Sequence, residues 1–130
     1  MRKLIAIVVF VLAGFATTHA QNSAKFEFES ETIDYGIIKK GSDGVRVFKF
    51  KNVGDEPLIV EDVKSSCGCT IPKKPEKAVM PGEMGEIEVK YDTKRVGHIR
   101  KTVTVYSNAE EPIKALKIKG QIIDDTESES

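Results

Sequence analysis

The sequence has no tryptophan, and its only two cysteines are Cys67 and Cys69. This spacing excludes the antibody-type signature, in which two distant cysteines flank a buried tryptophan. Long apolar runs are scarce as well. The longest one, 4–16, has 13 residues, whereas a transmembrane helix needs about 20. We therefore expect neither an antibody-type domain nor a stable membrane span.

An excess of charge of one sign is also missing. The chain carries 20 basic and 20 acidic residues, and the segment 21–123 carries 18 and 16. Binding to nucleic acid normally requires a strongly basic face, and here the lysines are spread along the predicted strands. We expect no nucleic-acid partner.

The first twenty residues predict an export signal. Arg2 and Lys3 precede the apolar run, and Thr18 and Ala20 place small residues before a cleavage point at Gln21. An uncleaved membrane anchor is the alternative, which the short run disfavours. The signal peptide 1–20 predicts an exported protein, periplasmic or extracellular, with no stable membrane span after cleavage.

The remaining chain lacks a helical period and shows alternation of apolar and polar residues bounded by turn residues. This pattern predicts an all-β fold over 21–123, an immunoglobulin-like antiparallel β-sandwich of about seven to eight strands. The predicted strands lie around Phe26–Phe28, Ile33–Ile37, Val45–Lys51, Leu58–Val63, Ile87–Tyr91, Ile99–Val105 and Leu116–Ile122. The predicted core residues are Phe48, Phe50, Leu58, Ile87, Val89, Val103, Val105 and Ile118.

Two segments are predicted to be irregular. Pro72 and Pro75 remove backbone donors from the region 65–80, which we expect to form a loop. The end of the chain, 124–130, has many acidic and few apolar residues, and we expect a disordered acidic tail.

The cysteine pair is the one place where specific chemistry can be argued from the residues. A disulfide between Cys67 and Cys69 would close a loop of three residues and stabilise the fold by roughly 1.6 kcal/mol, against about 3 kcal/mol for fifteen residues. In an extended strand the two Cα atoms would be roughly 6.6 Å apart, near the limit for a disulfide. A turn at Gly68 would shorten this distance. The pair is thus a weak staple.

Three interpretations of the pair remain open. The cysteines can be structural, they can be a redox-active pair, or they can hold a soft metal such as Cu(I). His19 would leave with the signal peptide, so His98 is the one histidine of the mature chain. Cys67, Cys69 and His98 give three ligands at most, too few for a zinc site. We therefore expect no metal or other cofactor and keep these three residues as weak metal candidates.

Other catalytic patterns are not visible. His98 has no serine and carboxylate context, and the isolated Asp34, Asp62 and Asp92 are typical of turns or solvated strand positions. No glycine-rich loop opens a helix to bind phosphate. The sequence does not predict an enzyme, apart from the weak thiol–disulfide alternative.

The sequence from Phe48 to Asn108 resembles a family of exported bacterial domains of unknown function with an immunoglobulin-like sandwich. The resemblance is carried by Phe48-x-Phe50-x-Asn52-x-Gly54, Ser66-Cys67-Gly68-Cys69-Thr70, Pro81-Gly82-x-x-Gly85 and Lys101-Thr102-Val103 through Ser107-Asn108, together with the earlier Asp34-Tyr35-Gly36. It implies the fold and export but no activity. The broader sandwich group it is similar to contains chaperone-type modules that bind other proteins.

These observations favour a non-catalytic protein-binding or scaffolding module of the cell envelope. We expect its partner to be another envelope or extracellular protein, engaged by strand addition at an exposed sheet edge. The alternative from another class is thiol–disulfide or copper handling by Cys67 and Cys69.

Overall fold

The computed structural model describes residues 23–124. The predicted signal peptide 1–20 lies outside the described residues, as does the predicted acidic tail except Asp124. The eight strands are β1 (Phe26–Phe28), β2 (Thr32–Lys39), β3 (Val45–Asn52), β4 (Val60–Ser65), β5 (Thr70–Lys73), β6 (Met84–Tyr91), β7 (Gly97–Ser107) and β8 (Ile113–Ile123). Within 23–124, no helix is long and apolar enough to cross a membrane.

The strands form two four-stranded sheets, in the orders β1-β3-β6-β5 and β2-β8-β7-β4. Apolar and charged side chains alternate along the strands. On β3, Phe48 and Phe50 face the core, whereas Lys49 and Lys51 face solvent. The predicted all-β sandwich is confirmed. The named strands pair antiparallel, except that β2 runs parallel to β8, and an isolated parallel bridge joins Ala24 to Ala109.

Of the five places where the chain changes sheets, two connect edge strands and lie on opposite sides of the sandwich. Residues 29–31 carry it from β1 to β2, and residues 66–69 carry it from β4 to β5. Each crossing connects two edge strands. Both lateral sides of the sandwich are therefore partly closed by the chain itself.

The core lies between the sheets and contains the eight predicted residues, each exposing 1% of its surface or less. Phe50 anchors an aromatic cluster with Phe26 and Phe28, whose ring centroids lie 5.0 and 5.5 Å from that of Phe50. Asn52, also fully buried, is a polar residue within this core. The core prediction is confirmed.

Three details of the strand prediction are wrong. The segment 65–80 contains β5, because an edge strand tolerates Pro72 where the missing N–H would point away from the sheet. Ile37 is 69% exposed because the strand has a bulge at Gly36, whose φ is 71°. The bulge shifts the alternation, so that Ile38 faces the core in place of Ile37. Leu58 makes only an isolated bridge to Val79, and β4 starts later.

Candidate functional site

The cysteine pair lies at the corner where the chain leaves one sheet for the other. Residues 66–69 link β4 to β5, and Thr70 N–H donates to the Cys67 carbonyl at 3.4 Å. This turn brings the Cα atoms of Cys67 and Cys69 to 5.3 Å, within the usual range for a disulfide. The two sulfurs are joined in a disulfide.

Hydrogen bonds to both sheets hold this corner independently of the sulfur atoms. On the β7 side, Ser66 N–H donates to the Thr102 carbonyl and Thr102 N–H donates to Ser66 Oγ. On the β6 side, Asp92 N–H donates to the Cys69 carbonyl at 2.8 Å. The backbone of the corner is thus fixed on both sides of the disulfide.

Ser65 completes the corner with a local hydrogen-bonded ring. Its Oγ donates to the Cys67 carbonyl at 2.8 Å and accepts from Cys67 N–H at 3.2 Å. A serine two residues ahead therefore satisfies both backbone groups of Cys67, which explains how the chain bends here without leaving them unpaired.

The two sulfurs differ in their surroundings. Cys69 exposes 5% of its surface and belongs to the core, whereas Cys67 is half-buried at its border. Cys69 N–H donates to Cys67 Sγ at 3.1 Å, and Cys69 Sγ lies 3.7 Å from Thr70 Oγ1. Cys67 is therefore the more exposed of the two residues, and its sulfur lies beside an amide donor.

Gly68 is not required by the backbone conformation. Its φ is not positive, and a Cβ built there would meet no atom beyond its two chain neighbours within 4 Å. The expected turn at Gly68 forms and brings the two Cα atoms to 5.3 Å, with a φ that residues other than glycine also adopt. The space in front of Gly68 is open.

A cleft of about 580 Å³ opens next to the corner. Gly68, Cys69 and Ile71 line one wall, and the loop 41–44 and the segment 90–94 line the rest. Ile71 is 64% exposed, and the loop opposite contributes Gly41, Ser42, Asp43 and Gly44. The corner therefore faces a concave surface with an apolar side chain at its rim.

His98 lies on the outer face of β7, opposite Gln121 of β8, and is exposed. It lines a different cleft, with Asp34, Arg100 and Lys119. Among the described residues, no group of three or more His, Cys, Asp or Glu side chains could hold a metal ion. The candidates Cys67, Cys69 and His98 are not gathered into one.

The isolated aspartates serve as turn formers. Asp34 Oδ1 accepts from Gly36 N–H, Asp62 Oδ1 from Val63 N–H, and Asp92 Oδ1 from Lys94 N–H. Each carboxylate thus caps a local backbone donor, as its position in the sequence indicated.

Burial changes the acidity of one tyrosine of the described chain. Tyr35 lies between the sheets, and its hydroxyl donates to the Gly44 carbonyl at 2.8 Å. Desolvation raises the pKa of Tyr35 to about 12, although the guanidinium of Arg46, 4.4 Å from its ring centroid, opposes the shift. This group is structural and keeps its proton at neutral pH.

Three of the four sheet edges are obstructed. On β5, Thr70 N–H is taken by the Cys67 carbonyl, and Pro72 has no N–H at the next outward position. On β4, Asp62 Oδ1 caps Val63 N–H, and Lys74 Nζ donates to the Glu61 carbonyl at 3.0 Å. Such devices are how native proteins blunt edges.

The β2 edge is capped near both ends and bulged between them. Ser30 Oγ donates to the Thr32 carbonyl at 2.6 Å and accepts from its N–H at 3.3 Å. Ser42 donates through its N–H and its Oγ to the Lys39 carbonyl. The bulge at Gly36 breaks the spacing of the outward groups that remain.

In the described chain, the β1 edge is covered only before the strand begins, where the Ala24 carbonyl accepts from Glu110 N–H at 2.8 Å. Val53 N–H donates to the Lys25 carbonyl and Glu29 N–H to the Lys49 carbonyl, so the odd-numbered residues face β3. By alternation, the N–H and C=O groups of Phe26 and Phe28 point away from the sheet. Among residues 23–124, none donates to or accepts from these four groups.

Half-buried apolar side chains lie beside this edge. Phe26 and Phe28, together with Ile33 and Ile38 of β2, pack against the core without being fully covered. Sequence reasoning missed this edge because strand order is not visible in a sequence. Pro72 and the Ser30-x-Thr32 spacing were available signals for two of the obstructed edges.

The fold is an immunoglobulin-like β-sandwich, similar to that of a solved PapD-like domain. The chain belongs to the family described as "Protein of unknown function (DUF1573)", whose model matches residues 26–122. No curated protein matches the sequence.

Solved structures agree with this fold. A protein of unknown function from Porphyromonas gingivalis W83 is 18% identical with a TM-score of 0.68, over 80% of this chain and 49% of that one. This chain therefore spans about half the length of that protein. PapD-like domain 7 of human CEP192 is 10% identical with a TM-score of 0.64, over 89% and 97%. The YadV chaperone is 14% identical with a TM-score of 0.53, over 78% and 52%.

Proposed function

We propose that this chain is a non-catalytic protein-binding module of an exported protein, and that it binds an extended segment of another envelope or extracellular protein by strand addition at β1. The observation that carries the proposal is the contrast between edges. Three are capped, bulged or closed by proline, whereas β1 presents two successive outward-facing residues without backbone partners in the described chain. Export itself rests on the signal peptide predicted at 1–20.

The surroundings of β1 favour a particular kind of segment. An added strand would place alternate side chains over the half-buried Phe26, Phe28 and Ile33, where apolar groups would bury further surface. On the other face it would pass Glu27, which is exposed and lies opposite Lys51. The partner segment is therefore extended, apolar at alternate positions, and basic at the position beside Glu27.

The arrangement of polar groups supports a binding role more than catalysis. The carboxylates of Asp34, Asp62 and Asp92 are used to cap turns, and His98 stands exposed on an outer face. PapD-like and chaperone neighbours share the fold, which is an analogy at fold level.

Linear peptides displayed on phage provide the test. We expect the chain to select peptides with alternating apolar residues, and we expect Phe28→Pro to abolish their binding. Phe28→Ala is the matched control, because it also removes the ring but keeps the outward N–H. Binding by Phe28→Ala should weaken about tenfold, as one apolar contact is lost.

The proposal fails if Phe28→Pro and Phe28→Ala bind a selected peptide equally well while both unfold at similar temperatures. It also fails if the selected peptides show no alternation, or if none binds. If the Phe28→Pro variant does not fold, backbone hydrogen exchange is measured on the unaltered chain instead.

A further inference from the structure

The disulfide corner has the asymmetry of an exchange site. Cys67 is half-buried at the border of the core and its Sγ receives the Cys69 N–H at 3.1 Å, whereas Cys69 exposes only 5% of its surface. We propose that the Cys67–Cys69 disulfide undergoes thiol–disulfide exchange with a partner dithiol, and that Cys67 Sγ is the sulfur attacked.

The exchange is a balanced two-electron transfer. A thiolate of the partner attacks Cys67 Sγ, a mixed disulfide forms, and the bond to Cys69 breaks with its sulfur leaving as thiolate. The second thiol of the partner, as thiolate, then attacks the partner's other sulfur, which is bonded to Cys67. This step forms the partner's disulfide and releases the Cys67 thiolate. The partner ends as a disulfide, and two protons from its thiols end on Cys67 and Cys69.

A hydrogen-bond donor lies beside each thiolate that the exchange releases. The Cys67 thiolate released in the second step accepts the Cys69 N–H, and hydrogen bonding to a charged form favours that form. The Cys69 thiolate that leaves in the first step lies 3.7 Å from Thr70 Oγ1, a hydroxyl that can donate to it. Exchange is faster when the leaving thiolate is stabilised.

Access to the sulfur depends on the residue between the cysteines. Gly68 has no Cβ, and a Cβ built there would meet no atom beyond its two chain neighbours within 4 Å. The neighbouring cleft of about 580 Å³ gives a partner segment a surface on which to dock. Glycine at this position therefore adds no side chain beside the disulfide.

The corner does not need the sulfur–sulfur bond to keep its shape. Ser66, Thr102 and Asp92 fix it through backbone hydrogen bonds to both sheets. Reduction therefore leaves the corner in place, with both thiols held near each other for reoxidation. The corner also lies on the β4/β5 side, opposite β1, so this proposal does not depend on strand addition.

The first test compares the two single-cysteine variants of the full mature chain. Cys69→Ser leaves the Cys67 thiol, and Cys67→Ser leaves the buried Cys69 thiol. Oxidised glutathione is the probe, and the mixed disulfide is measured by intact mass. We expect Cys69→Ser to react at least about tenfold faster, because thiolate character and exposure control this reaction.

The second test keeps both cysteines and changes only residue 68, which lies between them. The oxidised chain is treated with dithiothreitol, and the freed thiols are alkylated and counted by mass. We expect the folded chain to be reduced, Gly68→Ala to react at nearly the same rate, and Gly68→Val to react about fivefold more slowly as the attacked sulfur is shielded.

Three results would overturn the proposal. One is equal reaction of the two single-cysteine variants with glutathione; another is a disulfide that dithiothreitol reduces only after unfolding. The third is an equal rate for Gly68→Ala and Gly68→Val in folded protein. Phage-peptide binding at β1 should be unchanged by the cysteine variants, so failure of one proposal is distinguishable from failure of the other.

Discussion

At the residue scale, the buried Asn52 connects three parts of the chain. Its Oδ1 accepts from Lys25 N–H and Gly54 N–H, and its Nδ2 donates to the carbonyls of Glu56 and Val79. It exposes none of its surface. All of its hydrogen-bonding capacity is used to hold together the segment before β1, the turn after β3 and the segment before β6.

Replacing Asn52 by Ala should therefore cost about 3 kcal/mol of unfolding free energy, since four backbone groups lose a partner inside the protein. Asn108 is the control, because its exposed side chain makes similar bonds to Ile59 N–H and the Pro57 carbonyl. Asn108→Ala should cost only about 1 kcal/mol, as water can replace those bonds. Denaturant unfolding measures both, and equal losses would contradict this account.

Tyr35 gives a prediction for alkaline pH. Its pKa is about 12 in the folded chain against 10.0 for an unperturbed tyrosine. Between these values the unfolded chain loses the proton that the folded chain keeps, so stability falls as the pH rises above 10.0, by up to about 1.4 kcal/mol per pH unit. Tyr35→Phe removes this contribution.

The measurement is the free energy of unfolding of both proteins at several pH values. The difference between the unaltered chain and Tyr35→Phe should shrink between pH 10.0 and about 12, because lysine titration affects both alike. A difference that stays constant over this range would show that Tyr35 ionises equally in both states.

At the element scale, the corner between β4 and β5 is held by hydrogen bonds more than by its disulfide. Changing both Cys67 and Cys69 to Ser should lower the free energy of unfolding by no more than about 2 kcal/mol, since a three-residue loop restricts the unfolded chain little. Chemical unfolding of the double variant checks this. A variant that cannot fold would identify the pair as an essential core element and exclude the exchange proposal too.

The strands show which parts of an element a sequence can predict. The alternation of Phe48 and Phe50 with lysines defines β3 because one face must be apolar. β5 is not visible in that way, since Pro72 argues against a strand unless its position at an edge is known. The inward place of Ile38, next to the exposed Ile37, depends on a bulge that the spacing of the apolar residues does not show.

At the scale of the whole molecule, the class of fold and the core follow from the sequence, and the position of Cys67 and Cys69 in a bend follows as well. The parallel pairing of β2 with β8 does not, because it results from the way the chain crosses between sheets. The open edge is likewise a property of strand order. Phe26 and Phe28 are ordinary alternating residues until β1 is seen to lie at the side of a sheet.

Strand addition at β1 is the central claim, and amide hydrogen exchange measured by NMR on the unaltered chain with a selected peptide tests it most directly. In the free chain, the outward amides of Phe26 and Phe28 should exchange rapidly, whereas the Glu27 amide, which faces β3, should be protected. Binding should slow exchange at Phe26 and Phe28 by about tenfold or more and leave Glu27 nearly unchanged. A bound peptide that leaves both phenylalanine amides exchanging as in the free chain would contradict the account.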